Sequence, residues 1–120
     1  MTIAEALLPV IKLHGAAKAI AEKHYSRGLH GPGAKEHVLA RIYESSGDEA
    51  KAEEYHRRAI MLSPEFADYH ISLGLFLIRK KRVRDAIRAF ENARPLAQNE
   101  SRSAFIESRI AKLRTDSGAS

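Results

Sequence analysis

The chain of 120 residues contains no cysteine. That absence excludes a disulfide framework and any zinc–thiolate site. It also lacks a long uninterrupted apolar run. The first 13 residues are rich in apolar side chains, but Glu5 and Lys12 interrupt them and no basic stretch precedes them. They read as a helix rather than a signal peptide or a membrane span, so the expectation is a cytoplasmic protein without a membrane partner. Catalytic motifs are missing too. Gly28, Gly31 and Gly33 are not followed by a Lys-Ser or Lys-Thr pair, so they do not form a phosphate loop. No serine, histidine and aspartate share a recognisable motif context. Glu53 and Glu54 are adjacent on a helix and face different directions, so they are not a paired acid and base. The chain is expected to have no active site and no cofactor.

Hydrophobic residues make up 44% and charged residues 29% of the chain, proportions typical of a single globular domain. Its main internal regularity is a repeat. Residues 33–66 align with residues 67–100 at an offset of 34, which places Leu39 on Leu73, Ala52 on Ala86, Ala59 on Ala93 and Leu62 on Leu96. Ala40 falls on Gly74, another small residue. The first copy carries Leu39-Ala40, Tyr43, Ala52, Ala59 and Pro64, and the second Leu73-Gly74, Leu77, Ala86, Phe90 and Ala93. This pattern resembles the tetratricopeptide repeat, in which two antiparallel helices pack closely at small residues and large residues fill the space beside them. The copies depart from the family pattern at Glu36 and His70, where tryptophan is common. They depart again at His56 and Leu77, which replace aromatics, and at Gln98, which replaces the closing proline.

The resemblance implies an all-α, TPR-like helical repeat, an α-α superhelix. It would hold about three helix pairs and a C-terminal capping helix in one domain over residues 1–114. Residues 2–29 read as a degenerate first repeat of two helices, 2–14 and 17–29, separated at Gly15; Pro9 should kink the first or delay its start. Gly31-Pro32-Gly33 is the clearest break. The helices expected after it cover residues 34–46, 48–62, 66–80 and 85–93, with Asp48 or Ser46 capping the second of them. Residues 101–114 carry a narrow apolar stripe of Phe105, Ile106, Ile110 and Leu113, as a helix covering the end of a repeat array requires. Residues 115–120 read as a disordered tail.

The resemblance also implies function: a non-catalytic scaffold or adaptor that binds a peptide segment or partner protein on the concave side, lined by the first helix of each pair. The positions that face it by resemblance include His37, Arg41, Asp68, Ile71, Ser72, Leu75 and Arg79. Ile71, Leu75 and Ile78 recur at spacings of four and three and form one apolar stripe. That stripe fits a binding groove and a seat for the C-terminal helix equally well. The inward positions lack the Lys, Asn and Arg set with which some family members clamp chaperone tails, and Asp68 would repel a carboxylate.

Two other readings stand beside this one. The chain has a net charge of +5, and the run Arg79-Lys80-Lys81-Arg82-Val83-Arg84 with Arg88 could contact an anionic partner or nucleic acid weakly. No aromatic is interleaved there to stack bases, and the bland reading is a solvated turn between helices. The chain could also be the regulatory repeat domain of a larger enzyme. The six histidines, of which His24, His30 and His37 flank the glycine-rich linker, match no ligand spacing, and no metal is expected.

Overall fold

The computed structural model describes residues 14–24 and 31–116, and within them every regular element is helical. The chain divides into two compact units, residues 1–62 and 63–120, and each is built on one closely packed helix pair. Residues 2–13 of the expected helix 2–14, residues 25–29 of the expected helix 17–29, His30 and residues 117–120 lie outside the described residues.

In the first unit, α1 comprises residues 14–24, followed by α2 (Ala34–Ser46) and α3 (Glu49–Leu62). Gly15, expected to end the first helix, is itself helical: the chain is helical from His14 through Gly15 to residue 24. Glycine lowers helix propensity by about 1 kcal/mol relative to alanine but keeps its amide, so neighbouring turns carry it. The connection from α2 to α3 is two residues long. Gly47, at φ 86°, is the left-handed residue that closes α2. Its N–H donates to the Glu44 carbonyl at 3.2 Å, and the N–H of Asp48 donates to the Tyr43 carbonyl at 3.0 Å. This is a Schellman closure. Asp48 then caps α3, its Oδ1 accepting from the Lys51 N–H at 3.1 Å. Ser46 takes no part in that cap; its hydroxyl donates back to the Tyr43 carbonyl.

The reversed pair buries Leu39 and Ala40 of α2 with Ala52, His56 and Ala59 of α3. His56, standing where the family carries an aromatic, is 2% exposed. Its ring meets that of His37 edge-on, with centroids 6.4 Å apart. At the other end of the pair, Tyr43 and Tyr55 stack at 5.4 Å between two cations, Lys18 of α1 and Arg58 of α3. A hydrogen bond to Tyr43 raises the Lys18 ammonium above its ordinary pKa.

The second unit runs α4 (Ala67–Arg79), α5 (Val83–Ala93), a single 3₁₀ turn over Arg94–Leu96, and α6 (Glu100–Asp116). The turn entering α4 is anchored by His70, whose Nε2 donates to the Pro64 carbonyl at 2.8 Å. α4 closes as α2 does. The Lys81 N–H donates to the Ile78 carbonyl and the Arg82 N–H to the Leu77 carbonyl, both at 2.9 Å. The left-handed position, glycine in the first pair, is here Lys81 at φ 60°. α5 starts at Val83, two residues before the expected Asp85, because the turn repeats that of the first pair: Val83 stands 34 residues after Glu49.

Leu73, Gly74 and Leu77 of α4 are buried, as are Ala86, Ala89, Phe90 and Ala93 of α5. Three of the four identical pairs in the repeat alignment, 39/73, 52/86 and 59/93, are thus core positions; the fourth is not, since Leu62 is exposed and Leu96 half-buried. One detail of the expected packing differs. Gly74 does not simply admit an alanine of the partner helix: a β-carbon placed there would stand 2.7 Å from the Phe90 ring. The missing side chain is what makes room for the aromatic.

α6 packs on α5, burying Ile106, Ile110 and Leu113, with Phe105 edge-on to Phe90 at 6.4 Å. Ion pairs Arg94–Glu107 at 2.6 Å and Arg114–Glu91 at 2.9 Å flank the seam. Asn99 caps α6 by accepting from the Arg102 N–H. At an offset of 33, Ile106 and Ile110 take the places of Leu73 and Leu77, while exposed Glu107 takes the place of Gly74. A charged side chain at the close-approach position suits a helix whose outer face meets water. The helix continues to Asp116, past the expected end at 114, with the Thr115 hydroxyl donating to the Ala111 carbonyl.

Candidate partner-binding surface

The residues proposed from sequence fall in both units. His37 and Arg41 lie on α2; Asp68, Ile71, Ser72, Leu75 and Arg79 lie on α4. On α2, His37 is half-buried against His56, and Arg41, one turn further on, is exposed.

On α4 the five residues separate into two kinds. Asp68, Ser72, Leu75 and Arg79 follow spacings of four, three and four, so they form one stripe along the helix. Ser72 and Leu75 are half-buried and Arg79 is exposed. Ile71 sits at the edge of this stripe and is 5% exposed, which makes it a packing residue rather than a contact surface. The opposite side of the helix supplies Leu73, Gly74 and Leu77 to the core. Of the apolar residues expected on this side, Ile71 is therefore buried, while water still reaches Leu75 within the stripe and Ile78 beside it.

Asp68 is engaged within its own unit. Its carboxylate pairs with the Arg102 guanidinium of α6 at 2.9 Å, and a second hydrogen bond is 3.1 Å long. This contact was missed in the sequence. Asn99 followed by Glu100 is a helix-start signal, and it would have put Arg102 in the first turn of α6. Nothing in the local pattern, however, aims that turn at α4. The pair neutralises the charge that argued against carboxylate-bearing partners. It also brings the start of the C-terminal helix to one end of the stripe, leaving Leu75 and Arg79 further along α4.

Among the described residues, no three histidine, aspartate or glutamate side chains converge as a metal site would require. No described helix is long and apolar enough to cross a membrane.

Residues 37–66 match the tetratricopeptide repeat family model. This segment is a tetratricopeptide repeat, and the described residues form an all-α helical repeat. Such repeats are protein–protein interaction modules and typically non-catalytic. No curated protein matches the sequence.

Proposed function

We propose that this chain is a non-catalytic adaptor that binds a peptide segment or partner protein through the inward stripe of its first-of-pair helices. Leu75 carries the reading. It is a half-buried leucine on the side of α4 that the intra-pair core does not use. Ser72 one turn before it offers a hydroxyl, and Arg79 one turn after it offers a guanidinium suited to carboxylates or carbonyls. A segment with one or two bulky apolar residues and an acidic neighbour suits this stripe. On the first unit, exposed Arg41 stands at the position equivalent to Leu75 and is assigned the same role, whereas His37 stands at that of Ile71 and, half-buried against His56, packs as Ile71 does.

Selection from a displayed library of random peptides tests this. Selected binders should share that chemistry, and Leu75→Ala should weaken them by on the order of 1–2 kcal/mol, as an interface anchor does, with helicity unchanged. The opposing result is specific. If Leu75→Ala lowers the melting temperature as much as removing residues 101–116 and leaves selected peptides bound, the stripe is a seat for α6.

A further inference from the structure

The net charge of this protein is confined to one turn. Residues 79–88 hold six of the 20 lysines and arginines and one of the 15 acidic residues. The remainder of the chain has fourteen of each and is neutral, so ten residues carry the entire +5. The fold does not ask for this. The equivalent turn of the first pair, residues 45–54, has four acidic residues and one lysine. It closes one helix and starts the next with the same hydrogen bonds. Two turns of one geometry thus carry opposite charge, and the basic one is the less favourable. It puts Lys81 where the other has Gly47, in a left-handed conformation that disfavours side chains. It also puts Arg82, which has no acceptor atom, where the other has the capping Asp48.

The side chains are presented accordingly. Arg82 is held by Asp85 at 3.0 Å. Lys81, Arg84 and Arg88 are exposed and have no ion-pair partner among the described residues, while Arg94, Arg102 and Arg114 elsewhere in the unit are each matched to a carboxylate. Arg84 and Arg88 are one helical turn apart on the outer face of α5, and Lys81 stands at the tip just before that helix.

We infer that Lys81, Arg84 and Arg88 of this turn form a second docking surface, separate from the Leu75 stripe that ends at Arg79, and that it takes a short acidic segment of a protein. Charge complementarity sets the sign of the partner. Its class follows from two further observations. Three free cations spanning a turn and one helical turn match a few carboxylates, whereas a nucleic-acid backbone needs a longer basic track. No aromatic is interleaved among these cations for base stacking either: Tyr69, Phe76 and Phe90 of this unit are buried, Phe105 is flanked by Phe90 and Arg109, and the exposed ring of Phe66 lies at the opposite end of α4, against Tyr69.

The full chain is titrated with two fluorescent probes at low salt, a peptide of about eight glutamates and an oligothymidylate of about the same charge. The peptide should bind, and Arg84→Gln/Arg88→Gln should weaken it roughly tenfold, since each lost guanidinium removes a charge-assisted contact. Lys51→Gln/Lys112→Gln removes the same charge elsewhere and should change affinity less than about twofold. Lys81→Gly provides an independent arm: binding should fall while the melting temperature rises, a combination that a purely structural lysine would not produce. Equal weakening by both double variants, or none by Arg84→Gln/Arg88→Gln, overturns the inference. So does oligothymidylate binding more tightly than the peptide through Arg84 and Arg88, which would make the partner a nucleic acid.

Discussion

Gly74 and Phe90 illustrate how single positions are set by their opposite number. Alanine at 74 would gain about 1 kcal/mol of helix propensity, but its β-carbon would lie 2.7 Å from a ring that is itself fully buried. Overpacking of this kind costs about 1–3 kcal/mol, so Gly74→Ala should destabilise in urea melts, and Phe90→Leu should recover part of the loss in the double variant. Alanines 52 and 86 have no exposed surface, and leucine at either should cost a similar 1–3 kcal/mol. The left-handed turn positions give predictions of opposite sign. Gly47→Ala should lower stability by about 1 kcal/mol, and Lys81→Gly should raise it by about as much, because only the second relieves a side chain from that conformation. Thermal melts of the two variants side by side check both directions.

Among the elements, α6 shows what pairing alone does not supply. Its apolar stripe is narrow, and it is held by burial of Ile106, Ile110 and Leu113 against α5 rather than by a closely approaching partner of its own. Ile106→Ala should therefore cost about 2–5 kcal/mol in a denaturant titration, the range for emptying a buried aliphatic site. Arg102→Ala should cost well under that, about 0.2–1 kcal/mol, since its pair with Asp68 is largely solvated. A larger loss for Arg102→Ala than for Ile106→Ala would mean that the ion pair, not the apolar seam, positions the helix. The boundaries of α2 were legible from Gly31-Pro32-Gly33 and Ser46-Gly47, which mark both ends with glycine. The start of α5 was not, because Lys81 and Arg82 carry no turn signal of their own and the helix begins there by virtue of the closure hydrogen bonds.

For the molecule as a whole, charge and ligand inventory are the observable consequences. The protein should retain its melting temperature in chelator, given that no three ligating side chains meet among the described residues. A marked drop would implicate the histidines around the linker. With the charge confined to residues 79–88, retention on a cation-exchange column should fall much more on neutralising Arg84 and Arg88 than on neutralising Lys51 and Lys112, because a clustered patch binds a charged surface as a unit.

The repeat was determined by the sequence itself. Leu39, Ala40, Ala52 and Ala59, and their counterparts 34 residues on, are buried, since small and large residues at fixed spacing admit one way of packing two helices. The helical character of the described elements was readable in the same way, from local chemistry. The sequence could not show that Asp68 is occupied by Arg102, that Ile71 is buried while Leu75 is only half-buried, or that Gly74 makes room for Phe90. Each of these depends on which side chains meet across separate helices. Periodicity assigns a residue to a face but not to a neighbour, and the neighbour decides whether a charge is spent in the fold or left for a partner.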